Sequence, residues 1–596
     1  MLLNRQLRLG RLTISLATLI AAIIIVADAA LRLMLIVNNY PTTNSDEATV
    51  GLMALHINQG HDFPAFLYGQ ASLGALEAYV GAALFFILGP SVFALRLGVL
   101  LFFIAFLICM YLLTRLLYSK GLALVTLVLL SIGTPEILYR SIPAFAGHAE
   151  TPLFGALIIL ISAQLGLASQ VYDPEAGLRP SRRLAVLYLL WGIVAGVAFW
   201  NDALAGAFIV MGAFFILVCC RRTLKPSTLT ALFAGLVIGI LPVILNDLLV
   251  QGGHKSLEVL GFILGGASLA NHSIFEHLAA AFLVSLPVAT GGTAICAITN
   301  WSTDSWPVTS QSRASVIQCT ALHGIWATVM LAAWIAAVVI EVSILSRRWL
   351  LARAKQRAKP DTSDGSSTDS APLQSPSLLE QRAVVLRYAR LMLLGSAALT
   401  WLVFAMSQIA IDYPWGDHRY LIGLGVATPA VIWPLWLAIT DRNSKPTLLS
   451  RAQLTKVLSM VILLAFAGAL VIGTADTFEQ MVSSTKATQQ QQELADTLVR
   501  LHLRHIYSEY WTCDLVSFLT KEQVICSVLD EHLNPGVNRY LPYASMVAQD
   551  PNAAYIFPIS SPQAQAFAAR AAQSKQPYNV LQFDNYILYQ PVTKGL

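Results

Sequence analysis

Apolar runs separated by short polar segments dominate most of this chain. The runs near 12–37, 92–117, 121–139, 152–169, 184–201, 203–219, 227–246, 320–346, 388–411, 419–439 and 456–474 each approach or exceed the length a helix needs to cross a hydrocarbon core, about 20 residues. They predict a polytopic α-helical membrane protein with about 11 transmembrane helices. One further run, 71–88, is apolar but interrupted by Gly74, Glu77 and Gly81 and closed by Gly89-Pro90. Counting it as a span would move Arg115 and Lys120, then Arg179, Arg182 and Arg183, then Arg221, Arg222 and Lys225, to the outer side, against the preference of cytoplasmic loops for cations. It is therefore read as interfacial or re-entrant, within an outer loop over 38–91.

The same parity puts the N-terminus, with Arg5, Arg8 and Arg11, in the cytoplasm of an inner (plasma) membrane protein. The first run is too long for a signal-peptide core and reads as a retained anchor. A second outer region is expected over 247–318, and a disordered cytoplasmic linker over about 355–384, where Pro-Asp-Thr-Ser-Asp-Gly-Ser-Ser-Thr-Asp-Ser has no means of building a core. The transmembrane unit is then 1–474, and the polar tail 475–596 reads as a small outer α/β domain. Its strand-like runs are 518–520, 554–557 and 586–589, with a helix from Pro562 to Ala572 whose proline suits the first turn.

Composition narrows the class. Of 596 residues, 56% are hydrophobic and 12% charged, which excludes a soluble globular protein. The net charge of +5 is what basic cytoplasmic loops produce, so it gives no reason to invoke nucleic acid as a partner; the lipid bilayer is the partner it implies. Of seven cysteines, Cys109, Cys219 and Cys220 sit in or at the end of apolar runs as small hydrophobes, whereas Cys513 and Cys526 lie in the polar tail and can pair if that tail is outside.

Polar residues that the membrane reading leaves unexplained collect on the outer side: Asp46 and Glu47, Tyr68-Gly69-Gln70 with Glu77, Arg140 with His148 and Glu150, Asp202 beside Trp200, and the stretch Asp412–Tyr420 with His418 and Arg419. Ionisable residues at membrane depth are costly, so a set brought to one face is a candidate site. Each has a plainer reading. Asp46 and Glu47 could cap a short interfacial helix, His148 and Glu150 could belong to an ordinary loop, Asp202 could be an idle loop acid, and Arg419 could snorkel. Glu77, His148 and Glu150 could ligate a divalent cation only if the fold gathered them.

In order along the chain, Asp46-Glu47-Ala48, Tyr68-Gly69-Gln70, Leu73-Gly74-Ala75-Leu76-Glu77-Ala78-Tyr79, Leu88-Gly89-Pro90 and Phe93-Ala94-Leu95-Arg96 resemble the protein mannosyltransferase and aminoarabinose transferase family, integral-membrane glycosyltransferases of the GT-C fold. The resemblance is best over 40–165. It implies a first outer loop that opens on an acidic pair, forms interfacial helices and enters the second span through a Phe-Ala-x-Arg segment. It implies transfer of a sugar from a polyprenyl-phosphate carrier to an acceptor hydroxyl, with inversion and with Asp46 as general base supported by Glu47. Arg419 and Arg140 would neutralise the phosphate, and His148, Glu150 and Tyr68 would hold sugar or acceptor; that assignment rests on charge and side. The acceptor, a lipid, glycan or protein, is not specified, and the soluble module that protein mannosyltransferases insert in a later outer loop is not found.

Two other classes compete. A transporter or lipid flippase would need ionisable residues at mid-span, of which Asp28 and Arg32, one turn apart and able to pair, are the main example. A non-catalytic membrane scaffold would leave Asp46, Glu150 and Arg419 scattered and facing lipid or water.

Overall fold

The computed structural model describes residues 6–9, 12–171, 181–249, 273–296, 314–357, 377–441, 450–574 and 576–592. A hairpin of β1 (Gln6–Leu9) and β2 (Leu12–Ser15) leads into α1 (Leu16–Val37), whose first turn Ser15 caps. Next come α2 (Ser45–Gln59), the short strands β3 (Phe66–Leu67) and β4 (Gln70–Gly74), and α3 (Leu76–Leu88). The helices α4 (Val92–Leu117), α5 (Lys120–Ser131), α6 (Pro135–Tyr139), α7 (Glu150–Ser169), α8 (Arg182–Asn201), α9 (Ala203–Cys219) and α10 (Pro226–Leu249) follow. They are continued by α11 (Ile274–Thr290), α12 (Ala314–Arg357), α13 (Leu378–Ala405), α14 (Asp417–Thr440) and α15 (Arg451–Arg500).

Nine of these described helices are long and apolar enough to cross a membrane, and α5 and α9 are shorter apolar helices at the two remaining predicted spans. Large apolar side chains such as Val26, Phe214, Phe233 and Leu464 are more than half exposed, as expected where the solvent is hydrocarbon. The 71–88 run does not span. At 13 residues α3 is about 20 Å long, short of the roughly 30 Å core, and it bares Phe86, Ile87 and Leu88 at its end.

Some boundaries differ from the sequence expectation. The run 121–139 is not one helix, because Gly133 and Pro135 break it into α5 and α6. The gap is held from outside: Thr474 of α15 accepts from the Gly133 amide and donates to its carbonyl, both at 3.1 Å. The run 388–411 ends at Ala405, with Ile409–Asp412 a separate turn. The expected disordered linker ends earlier than predicted, since Ser377 and Glu380 form a capping box that starts α13; its central part, 358–376, lies outside the described residues. So does much of the second outer region, whose described part contains α11.

The apolar stretch of α15 ends near Thr474, but the helix continues to Arg500, and Leu494 and Leu498 enter the core of the C-terminal unit. There β5 (His505–Ser508), α16 (Tyr510–Leu519), β6 (Ile525–Val528), α17 (Leu541–Ala548), β7 (Ala554–Pro558), α18 (Pro562–Gln573), β8 (Tyr578–Phe583) and β9 (Tyr586–Pro591) build a five-stranded sheet of order β6-β5-β7-β9-β8. The first three strands are parallel and the last two antiparallel, an α/β unit as predicted. Phe518-Leu519-Thr520, expected as a strand, instead ends α16, in which every residue from Thr512 to Phe518 is buried.

The closest helix pair is α8 with α10. Gly192 and Gly196 face Gly235 and Gly239, two small-xxx-small stripes that let the backbones touch. A Cβ at Gly235 would stand 2.2 Å from the Leu189 carbonyl oxygen, and one at Gly192 would stand 2.1 Å from that of Leu232. Backbone, unlike a side chain end, has no rotamer by which to yield. Gly235→Ala is expected to force the pair apart and lower stability by about 1–3 kcal/mol, read as a drop in melting temperature in detergent. An unchanged melting curve would show that the contact is looser than these distances require.

Candidate active site

The acidic pair stands in the first turn of α2, where Asn44 caps the helix by accepting from the Glu47 amide at 3.0 Å. The two acids have different surroundings. Glu47 is fully buried and forms a two-pronged ion pair with Arg96 of α4, at 2.8 and 2.7 Å. The same guanidinium donates to the Pro41 carbonyl at 2.7 Å and to the Thr43 hydroxyl at 3.3 Å, so one buried cation gathers the chain that precedes α2. Asp46 is partly exposed. Its Oδ1 accepts from the Tyr510 hydroxyl at 2.8 Å and from Arg539 at 2.9 Å, both in the C-terminal unit.

That unit is seated on α2 by close contacts. The Phe518 ring lies where a Cβ on Gly51 would be, 2.6 Å from it, so only glycine admits the ring. Ser45 donates to the Tyr510 carbonyl at 2.9 Å, and Thr49 donates to Asp514 at 2.7 Å. His56 meets Glu522 at 3.0 Å and the Tyr68 hydroxyl at 2.8 Å, and Tyr68 in turn donates to Asp62 at 2.8 Å. The Tyr540 ring covers Tyr68 at 4.8 Å between centroids. Cys513 and Cys526 are bonded, tying α16 to β6, and a second disulfide joins Cys296 to Cys319 beside α11.

Among the spans lies a cavity of about 460 Å³; the acids do not line it, but the charge of Asp46 acts on Arg419 of its wall. Its walls are apolar, from Leu129 of α5, Leu286 of α11, Trp334 of α12, Trp401 of α13, Ile422 of α14 and Phe466 of α15. Its polar lining includes Arg140, His148, His418 and Arg419, and one carboxylate, Glu136, which accepts from Thr293 at 2.7 Å. Arg140 follows the last turn of α6, lies over the Tyr139 ring at 5.3 Å and donates to the Gly416 carbonyl at 3.2 Å. His148 follows a tight loop in which Ala146 and Gly147 have φ of 53° and 103°. His418 and Arg419 open the 3₁₀ stretch of α14. There His418 donates through Nδ1 to the Trp415 carbonyl at 2.6 Å, and Arg419 pairs with Asp417 at 3.2 Å.

The electrostatics of this end are lopsided. Arg140 Nε, Arg419 Nε, His148 Nδ1 and His418 Nε2 are buried and make no hydrogen bond among the described residues. Burial lowers Arg140 to about 10, which still leaves it cationic at neutral pH. Burial, with the charges of Arg140 and Arg419, pushes His148 well below the usual imidazole value, so it is neutral. An apolar chamber ending in two guanidiniums and two imidazoles is suited to an amphiphile with an anionic head. Tyr139 links it to the acids: Asn44 contacts the Tyr139 hydroxyl at 3.5 Å, and the charges of Asp46, Glu47, Arg96 and Arg140 all act on it.

Of the residues singled out in the sequence, the structure thus brings Arg140, His148, His418 and Arg419 into one cavity, while Asp46 and Glu47 stand outside its lining and reach it through their charges on Arg419 and Tyr139. Glu77 and Glu150 lie buried behind the His148 loop; the Ala146 amide donates to Glu77 at 2.8 Å, and burial pushes Glu77 up. Asp202 caps the turn into α9 through the Leu204 amide at 2.9 Å and accepts from Thr151 at 3.2 Å. Tyr68 is engaged by His56 and Asp62, and Gln70 by Arg539 at 3.2 Å. Among the described residues no group of three or more His, Cys, Asp or Glu is arranged to hold a metal ion. Not foreseen were Tyr139, the α11 wall of the cavity and the linkage of Asp46 to Tyr510 and Arg539. The last had a signal only in the unexplained polar stretches Tyr507–Trp511 and Asn538-Arg539-Tyr540.

Burial, helped by the Asp46 charge, raises Asp514 to about 6 against the ordinary 3.8. A carboxyl raised on folding stabilises below its unfolded value, and that contribution is lost as pH climbs through the folded value. Asp514→Asn is therefore expected to match the parent protein in melting temperature near pH 4. Its advantage should grow to about pH 6 and stay constant above. A pH-independent difference between the two would contradict this.

No family model matches this sequence, and no curated protein matches it. Among solved structures, ArnT from Cupriavidus metallidurans bound to undecaprenyl phosphate superposes with a TM-score of 0.52 and 12% identity, over 96% of this chain and 98% of that one. The same protein in the apo state gives 0.50 and 12%, over 97% and 98%. The archaeal oligosaccharyltransferase AglB from Archaeoglobus fulgidus matches more loosely, at 0.45 and 13% over 96% and 74%. Identity this low speaks to architecture alone, and in architecture the chain shares the polytopic fold of ArnT.

Proposed function

We propose that this protein is an integral-membrane glycosyltransferase that moves a sugar from a polyprenyl-phosphate carrier to an acceptor hydroxyl on the outer face of an inner membrane. The observation that carries this reading is the apolar cavity closed by Arg140, Arg419, His148 and His418, whose Arg419 feels the charge of the partly exposed Asp46. A polyprenyl chain suits the walls and a phosphate suits the cationic end. ArnT, whose fold the chain shares, binds undecaprenyl phosphate. A non-catalytic scaffold would leave these groups dispersed. In the spans Asp28 and Arg32 pair at 3.1 Å, and Glu341 pairs with Arg387 and Arg390 at 2.8 Å, so these charges serve packing rather than a transport path.

In the proposed reaction the acceptor oxygen attacks the anomeric carbon as the bond from that carbon to the phosphate oxygen breaks. The acceptor proton passes to Asp46, and the polyprenyl phosphate leaves with its charge held by Arg140 and Arg419. Attack opposite the leaving group gives inversion. Glu47 takes no proton in this scheme: paired with Arg96, it supports the turn that presents Asp46. His148 and His418 contribute neutral polar contacts at the cavity head, while Tyr68, Gln70, Glu77, Glu150 and Asp202 keep the surrounding loops in place.

Asp46→Asn is expected to lower transfer by about 10²–10⁴-fold while undecaprenyl phosphate still raises the melting temperature. A folded D46N protein that transfers sugar at the parental rate would falsify the base assignment. Arg140→Ala and Arg419→Ala should each weaken that lipid-induced stabilisation, corresponding to about 10-fold or more in affinity from one charged hydrogen bond. Equal stabilisation of the parent and both variants would place the phosphate elsewhere.

A further inference from the structure

Tyr510 and Arg539 reach Asp46 from a different unit of the chain, and their geometry is more specific than docking requires. Arg539 donates through Nη2 to Asp46 Oδ1 at 2.9 Å, through Nε to the Tyr510 hydroxyl at 2.8 Å and through Nη1 to Gln70 Oε1 at 3.2 Å. The Tyr510 hydroxyl passes its own hydrogen to the same Oδ1 at 2.8 Å. All the donors therefore meet one oxygen of the carboxylate. Oδ2 makes no hydrogen bond among the described residues, and the Asp46 side chain is 30% exposed.

The cation is itself held from several sides. Asn538, its neighbour, accepts from the Val528 amide at 2.8 Å at the end of β6. The Cys513–Cys526 disulfide ties that strand to α16, which starts at Tyr510. Gly69, at φ 71°, brings the Gln70 turn against Arg539, where a Cβ would stand 3.4 Å from the Arg539 Cα. A partly exposed ion pair adds little to a seating already made by Phe518, Thr49 and His56, so docking does not account for this convergence. A planar guanidinium that fills three acceptors at once does account for a carboxylate with one fixed and one open oxygen.

We infer that Arg539 and Tyr510 are positioning residues of the transfer reaction: they lock Asp46 Oδ1 so that Oδ2 faces the acceptor hydroxyl, which makes the C-terminal unit part of the active site. This rests on Asp46 being the base. The acceptor oxygen gives its proton to Oδ2 as its bond to the sugar forms, and Oδ1 keeps its two donors throughout.

The test is a mutant cycle on the full-length protein. Arg539→Met is expected to lower kcat by about 100-fold, the order of loss that misplacement by an ångström causes, with KM for the lipid donor and the stabilisation by undecaprenyl phosphate unchanged. Arg539→Lys should recover part of the loss. In the D46N background Arg539→Met should change the residual rate by less than about twofold, since residues acting through one group do not add. Where R539M fails to fold, Tyr510→Phe removes a single hydroxyl and should cost kcat about 10-fold with the same non-additivity. The same fold loss in the D46N background as in the parent, or parental kcat in both variants, would overturn the inference while leaving the base assignment standing. A fully active D46N would overturn that assignment as well.

Discussion

The buried pairing of Glu47 with Arg96 is the interaction on which the rest of the site depends. Successive helix residues point about 100° apart, so tying Glu47 inward to α4 turns Asp46 toward the C-terminal unit. Two adjacent carboxylates thereby acquire opposite characters, one a fully paired internal anchor and the other a reachable acid. Breaking such a pair by deleting one partner costs about 3–5 kcal/mol, because the other charge is left buried. The anchor also recruits the Pro41 carbonyl and Thr43, so the entry to α2 and its first turn form one unit.

A second constraint opposes the first in kind. Glu47 and Arg96 satisfy each other, whereas Arg140 forms no ion pair among the described residues and shares a mostly apolar chamber with Arg419, which is partly exposed and paired with Asp417. Keeping a cation such as Arg140 under-neutralised in an apolar chamber lowers stability, and a fold that retains it is biased toward binding an anion. The loop of Gly147 and the broken junction of α5 and α6 exist at this same place. Irregular backbone at membrane depth is tolerated where it is buried in protein or lines a cavity, and here it does.

Much of this was legible in the chain because hydrocarbon imposes a simple rule on sequence. Apolar length marked the spans, and the placement of cations showed that 71–88 does not cross, which the length of α3 matches. The acidic pair, both arginines and both histidines were visible as polar residues in the wrong medium. What was not visible was partnership. Nothing local in Asp46-Glu47 says which acid is paired, since Arg96 lies 49 residues away and Arg539 lies 493 away. The break at Gly133 had a local signal in Gly133-Thr134-Pro135, outweighed by the near-spanning apolar length of the run, and the residue that fills it, Thr474, belongs to the last span. The Phe518 helix was mistaken for a strand because a short apolar run has no period of its own.

The long helix α15 passes without interruption from the apolar spans into the core of the C-terminal sheet, where Leu494 and Leu498 are packed. It therefore acts as a lever whose fulcrum is in the bilayer. Between Thr474 and Arg500 it extends roughly 39 Å, so a tilt of about 5° would displace its far end by about 3 Å, as much as the hydrogen bonds that reach Asp46 are long. The tilt of such a helix is set by its packing against neighbouring helices and by its interfacial anchors, with the match to membrane thickness a smaller contribution. Any change in that tilt would move the C-terminal unit, and with it the two donors that hold Asp46.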